Sequence, residues 1–471
     1  MSNYLSKILL LLPALFFFIV FSSLGLYWSS YPYDAWRIYE VIVLILFTFY
    51  LIYFLSINKY SLFKKQNSHK LFFILSITIT ILIIVTILYS RIPERAISDI
   101  TLYILLINFM LISSYLFRIH RHFSENITAL IAILPMLTLI FLPISIWDRL
   151  HGGDGVWTQS FTNIRMLDDA LLPCLFLLWL QPAWLSPKKY STLLRKTLIT
   201  TLVYIVSTIY LLSFLFHGAR AGLLAISIGL IISIFLTLKS KQDFSKIPLI
   251  SCFISIILFN IYHFISPNNI GSSIARMSSS GRIELWQKAL HIWLENPILG
   301  IGGNHFSLEK PFLISTHPHN LFLRFLTEWG VITFVILFII FIIFKKIYRH
   351  KNSIPTLLIA GIFAVIINSL LSGSFVYPVS QLINFWFFAL MMSYLPIYEI
   401  KDNSFYFGYQ KKIWISISIL VVLGIICIHG QDILCYPCIS IDEYGAPGFW
   451  DQGRAIHLSP LSDLKDISQQ K

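Results

Sequence analysis

The sequence predicts an all-α, polytopic membrane protein of about 12–13 transmembrane helices, with one large external loop that carries amphipathic helices. Three observations lead there. Of 471 residues, 57% are hydrophobic and only 12% charged, whereas an ordinary soluble domain is about one quarter charged. The mean hydropathy of +0.76 lies far above the soluble range. Apolar runs long enough to cross about 30 Å of hydrocarbon recur along the whole chain. Together these exclude a soluble enzyme, a disordered chain and a disulfide framework. Aromatics are abundant, with 39 Phe, 23 Tyr and 12 Trp, and so supply rings for packing, interfacial belts and stacking on sugars.

The apolar runs fall near residues 5–27, 38–58, 70–89, 98–117, 127–147, 167–185, 197–216, 221–238, 248–266, 319–344, 355–371, 379–398 and 413–430. The first has Lys7 near its start and no small-residue cleavage pattern behind it, which predicts a retained span. Alternate connections are rich in lysine and arginine. One set holds Lys59, Lys64, Lys65 and Lys70, then Arg118 and Arg121, then Lys188, Lys189, Arg195 and Lys196. It continues with Lys239, Lys241 and Lys246, with Lys345, Lys346, Arg349 and Lys351, and with Lys401, Lys411 and Lys412. The positive-inside rule makes these loops and the amino terminus cytoplasmic, and it accounts for the net charge of +13 without nucleic acid as a partner. The organisation expected is a membrane domain over 1–430, an external loop over 267–318 and a short external tail over 431–471. Cys174, Cys252 and Cys427 sit in apolar runs and are expected to be buried. Cys435 and Cys438 in the tail have the spacing of a thiol oxidoreductase without its βαβ context, so a structural disulfide is expected.

The uncommon residues gather on the external face. Arg220 lies in the tight turn His217-Gly218-Ala219-Arg220-Ala221-Gly222, where a charge needs water or an anion. The bland reading of such an arginine is a snorkelling interfacial side chain. In the long loop, Gly281 followed by Glu284 predicts a helix start. Trp286, Ala289, Leu290 and Trp293 would share one face of that helix, and Pro297 would end it. Arg282 falls in its first turn, where the helix dipole opposes a cation unless an anion is near. Gly300-Ile301-Gly302-Gly303 lacks the strand context of a dinucleotide fingerprint and is expected to turn the chain back to the membrane. Thr316-His317-Pro318-His319-Asn320 opens the next span, with Thr316 or His317 as cap and Pro318 in the first turn. His319 at a helix amino terminus should stay neutral and can take a proton from a hydroxyl. Arg324 and Glu328, at i and i+4, can pair within that span. Metal ligation by His317 and His319 lacks a completing carboxylate or cysteine. Asp168 and Asp169 are adjacent and point in different directions, and either could neutralise Arg165.

Three stretches resemble one family. They are Arg220-Ala221-Gly222; Gly281-Arg282 with Trp286, Pro297, Gly300 and Gly302; and His319-Asn320 with Gly330 and Thr333. In these stretches, which fall within about 210–335, and in its span layout, the chain resembles the bacterial O-antigen ligases, the O-antigen polymerases and the protein O-oligosaccharyltransferases. The resemblance implies a GT-C-like membrane glycosyltransferase of the bacterial inner membrane, with its active site facing the periplasm. It implies a glycan donor on undecaprenyl diphosphate, an acceptor such as lipid A–core oligosaccharide, and neither cofactor nor metal. It assigns Arg220 and Arg282 to the diphosphate and His319 to the acceptor hydroxyl. Arg165, His317, Asn320 and Trp286 are the further candidate substrate-binding residues. The leading expectation is an inverting, en bloc ligase. A polymerase or a protein oligosaccharyltransferase is the alternative within the family. A transporter or flippase is the alternative outside it, and the charge-poor span centres argue against that one.

Overall fold

The structure, a computed structural model, describes residues 2–24, 32–57, 69–153, 161, 164–184, 193–240, 245–265, 281–309, 317–395 and 405–434. The tail cysteines, Thr316, Ser278 to Ser280 and several of the basic connections lie outside the described residues. The chain is an all-α polytopic membrane protein. In order, the helices are α1 (Ser2–Phe21), α2 (Pro32–Ile57), α3 (His69–Tyr89), α4 (Pro93–Ile119), α5 (Arg121–Ile133), α6 (Met136–Leu139), α7 (Leu142–Leu150), α8 (Ile164–Trp184) and α9 (Leu193–His217). They continue with α10 (Arg220–Ser240), α11 (Ile247–Ile265), α12 (Arg282–Glu295), α13 (Leu321–Trp329), α14 (Ile332–Arg349), α15 (Thr356–Ser369), α16 (Pro378–Ser393) and α17 (Phe405–Leu434). Among the described residues, eight helical stretches are long and apolar enough to cross a membrane, with α5 to α7 forming one continuous stretch. Thr78–Tyr89, α15 and α16 are shorter apolar helices.

The core lies between α2, α4, α8, α15 and α16. α8 is buried on all sides, from Leu167 through Leu180, as an apolar helix without a polar face must be. α4 and α16 run parallel. At one end Tyr103 donates to the Phe375 carbonyl at 3.3 Å. At the other, Arg118 caps the last turn of α16 by donating to the carbonyls of Met392, Ser393 and Leu395. These are carbonyls that a helix end leaves without partners. Exposed side chains such as Ile231, Phe253 and Phe264 belong to the outer surfaces of α10 and α11.

Four expectations are corrected. The single span 319–344 is two helices, α13 and α14, broken at Gly330 (φ 52°, ψ −128°). The Gly-rich stretch explains the break. Ile301 and Gly302 N–H groups donate to the Thr327 and Glu328 carbonyls at 3.0 and 2.9 Å, and Val331 N–H donates to the Ile298 carbonyl at 2.9 Å. The loop thus satisfies the carbonyls that the broken helix releases. α13 starts later than the sequence suggests, because Asn320 rather than Thr316 or His317 is the cap; its side chain accepts from Leu323 N–H at 3.0 Å. α12 buries Leu285, Ala289 and Ile292, so its inward face is rotated from the predicted one and Leu290 is exposed. Cys427 is exposed rather than buried, since α17 turns it outward.

Candidate functional site

The residues singled out by the sequence lie at the end of the bundle where α4, α10, α12, α13 and α16 begin and α9 ends. The first wall is the α9–α10 turn. Gly218, at φ 60°, lets the chain reverse, and Arg220 becomes the first residue of α10. Asp168, near the start of α8, pairs with His217 Nδ1 at 2.5 Å. Both side chains of this pair are buried, so the turn that presents Arg220 is locked to α8. The neighbouring Asp169, one residue and about 100° further round the helix, faces elsewhere. It accepts from Asn368 Nδ2 and Ser372 Oγ, both at 2.7 Å.

The second wall is the start of α12. Gly281 caps it at φ 72°, and Arg282 follows in the first turn, as expected from the sequence. Its Nε is buried without a hydrogen-bond partner. Burial lowers the Arg282 pKa, and the nearby charges of Arg165 and Arg220 lower it further, against the pull of Asp169 and Tyr377. The guanidinium groups of Arg165 and Arg220 therefore both lie within range of the Arg282 charge. Like charges gathered in this way are favourable once an anion sits among them.

The third wall is the His317-Pro318-His319-Asn320 turn. Trp286 Nε1 donates to the Pro318 carbonyl at 2.9 Å, tying α12 to this turn. His317 Nδ1 accepts the His319 N–H at 3.2 Å, so the His317 proton resides on Nε2 and points to Tyr377 Oη at 3.3 Å. Burial, followed by the charges of His319 and Arg324, holds the His317 pKa well below the usual imidazole range. His319 has φ 50°, a left-handed conformation uncommon outside glycine. Its pKa is lowered to about 4, by burial first and then by Arg282 and Arg165. His319 is thus neutral near pH 7, as the sequence predicts, but through burial and arginines rather than a helix dipole, since α13 starts beyond it.

Between this turn and residues 372–376 lies a small, partly open pocket, lined among others by His317, His319, Asn320, Arg324, Ser372 and Val376. Gly373 permits the approach of its two walls: a Cβ there would stand 2.8 Å from the Tyr377 ring and 2.9 Å from His317 Cε1. Beneath it, Arg324 pairs with Asp99 at 2.9 Å and with Glu328 at 3.1 Å, and donates to Asn304 Oδ1 at 2.7 Å. The expected i, i+4 pair is present, but it belongs to a larger buried cluster that also takes the Trp329 indole on Asp99 at 2.9 Å.

The structure therefore brings Arg165, Arg220, Arg282 and His319 into one electrostatic neighbourhood. It gives His317, Asn320 and Trp286 local bonds that shape the His319 turn. Sequence reasoning set Asp168 and Asp169 only against Arg165 and missed their partners His217 and Ser372, and Tyr377, as parts of this arrangement. The signal for the two aspartates was present, since adjacent helical carboxylates serve two different walls. Ser372 and Tyr377 are separated from the rest by whole helices and gave none. Among the described residues, no group of His, Cys, Asp and Glu has a metal-ligand arrangement.

Fold and site together define a polytopic membrane protein with a group of arginines beside a buried histidine turn at one end of its helices. Residues 205–338 match the family model described as O-Antigen ligase, a segment that contains Arg220, Arg282 and His319. This match supports a relationship of that segment to the O-antigen ligase superfamily. No curated protein and no solved structure matches it.

Proposed function

We propose that this protein is an O-antigen ligase-like glycosyltransferase of the bacterial inner membrane. It would move a glycan en bloc from undecaprenyl diphosphate to a hydroxyl of lipid A–core oligosaccharide on the periplasmic face. The observation that carries this reading is the grouping of three guanidiniums with a neutral imidazole. Arg220, Arg282 and Arg165 bind the diphosphate; guanidinium forks match phosphate oxygens and neutralise the charge that grows as the glycosidic bond breaks. His319 takes the proton of the acceptor hydroxyl. The hydroxyl oxygen attacks the anomeric carbon from the face opposite the diphosphate, so the configuration inverts. The bonding pair leaves with the undecaprenyl diphosphate oxygen.

The low pKa of His319 fits this sequence of events. The same arginines that hold it down are neutralised when the anionic donor binds. The imidazole then becomes more basic at the moment a hydroxyl must lose its proton.

The test uses purified protein, lipid-linked donor and lipid A–core acceptor. Arg220→Ala, Arg282→Ala and His319→Ala are each expected to lower the transfer rate by about two orders of magnitude or more, the usual weight of a charge stabiliser or general base. Wild-type transfer by the His319 variant would remove the base from the mechanism. In a deletion strain, full-length O-antigen should accumulate on undecaprenyl diphosphate. Lipid A–core bearing a single repeat would instead indicate a polymerase, and loss of glycan from a secreted protein alone a protein oligosaccharyltransferase.

A further inference from the structure

The segment Ser372-Gly373-Ser374-Phe375-Val376-Tyr377, between α15 and α16, is the wall that faces His317 and His319 across the cavity. It is not helical, so its carbonyls need other partners. Buried side chains from three helices supply them. Asn384 Nδ2 donates to the Ser374 carbonyl at 3.2 Å. Gln381 and Tyr103 donate to that of Phe375. Tyr33 Oη and Arg37 Nη2 donate to that of Val376, at 3.0 and 2.8 Å. The two ends of the segment reach the two halves of the site. Ser372 binds Asp169, whose charge reaches Arg282, and Tyr377 meets the Nε2 of His317.

Arg37 is the costly member of this set. It is fully buried near the start of α2, 245 positions from Arg282 and 282 from His319 in the sequence, and it is held by Glu40, Gln381 and Tyr33. Glu40 is also fully buried, and its Oε1 has no hydrogen-bond partner. Desolvating two ions costs several kcal/mol each, and a well-packed apolar pair would hold α2 to α16 as firmly. What an apolar pair cannot do is donate to the Val376 carbonyl.

We propose that Arg37 is a positioning residue for the transfer reaction, one that fixes the 372–377 wall, through the Val376 carbonyl, at the distance from His317 and His319 that the acceptor requires. The proposal rests on the transferase reading above. Arg37 touches neither substrate nor reacting atoms; it sets the place of residues that do.

The experiment replaces the ion pair as a pair, since Arg37→Ala alone would leave Glu40 buried and unbalanced. The full-length Arg37→Met/Glu40→Leu protein is assayed in detergent with lipid-linked donor and acceptor, beside wild type, Arg37→Lys and Tyr33→Phe. The double variant is expected to melt close to wild type and to keep its donor KM within about twofold, while kcat falls about 30- to 100-fold, the effect of a misplacement near 1 Å. Arg37→Lys, which can still reach the carbonyl and balance Glu40, should recover part of kcat. Tyr33→Phe, which removes one bond to the same carbonyl and one partner of Arg37 but no charge, should lower kcat about three- to tenfold; it decides the matter if the double variant does not fold. A kcat within threefold of wild type in a folded double variant, or in Tyr33→Phe should that be the variant that folds, overturns the proposal. Failure of wild type itself to transfer glycan would instead overturn the transferase reading.

Discussion

Replacing Gly330 with alanine probes the join between the two halves of the broken helix. At φ 52° and ψ −128° the backbone is one that a residue with a Cβ adopts only under strain of about 1–3 kcal/mol. The added Cβ would also stand 2.3 Å from the Ile298 carbonyl oxygen, closer than real Cβ contacts come. That oxygen accepts the Val331 N–H at 2.9 Å, so relieving the clash means giving up this bond or shifting the pairing of 298–302 with 327–331. Each backbone bond lost adds about 1 kcal/mol. The sum is about 2–5 kcal/mol, with the Gly-rich loop and Glu328 displaced together. The assay is thermal unfolding of the purified protein in detergent, with Gly424→Ala as the opposing control. Gly424 lies inside α17, and a Cβ there meets nothing nearer than Thr101 Cγ2 at 3.6 Å. Alanine should leave stability unchanged there or raise it by up to about 1 kcal/mol. Gly330→Ala should melt several degrees lower and Gly424→Ala no lower than wild type. Equal melting temperatures for the two variants would refute the reasoning about the break.

Other expectations concern the site itself. Asp168→Ala removes the partner of a buried His217 and loosens the Arg220 turn; donor KM should rise about tenfold or more, read in the transfer assay at saturating acceptor. Arg165→Gln takes one cation away from His319, so the acid limb of kcat/KM should move upward from about pH 4, and a limb that stays or falls would contradict the placement of Arg165. Trp286→Phe keeps the ring but loses the bond to the Pro318 carbonyl, which should lower kcat about three- to tenfold without a change in expression level. Burial holds His305 at about 4 as well, its Nε2 accepting the Ile92 N–H and its Nδ1 facing the Gly303 carbonyl. Because the unfolded chain binds more protons between about pH 4 and 6.5, stability should rise with pH through that window; His305→Gln should flatten the rise in a melting series across it.

Much of the architecture was legible because hydrocarbon imposes a simple rule on sequence, and long apolar runs bounded by lysine and arginine follow it. Arg282 in the first turn of α12 and the Arg324–Glu328 pair were readable from local spacing, whereas the neutral state of His319 was expected from a helix dipole and arises instead from burial and distant arginines. The break at Gly330 was not, because it depends on a loop some thirty residues earlier that supplies the missing backbone partners. The inward face of α12 was misjudged since its tryptophans suggested burial, whereas the smaller Leu285, Ala289 and Ile292 meet Phe306, Leu323 and Leu326. The roles of Asp168 and Asp169 needed the third dimension: one residue apart on a helix, they brace elements that are separated by about 150 positions in the chain. Arg37 was invisible for the same reason, being a lone arginine at the mouth of a span until the wall it holds is seen.

The left-handed backbone at His319 shapes how this position can vary. Most side chains there would strain the turn as well as lose the imidazole, so an alanine substitution mixes two losses. Asparagine tolerates such a conformation far better than most residues with a side chain. His319→Asn therefore preserves the local path of the chain while removing proton transfer, and the gap between the asparagine and alanine variants measures what the shape of the turn is worth apart from its chemistry.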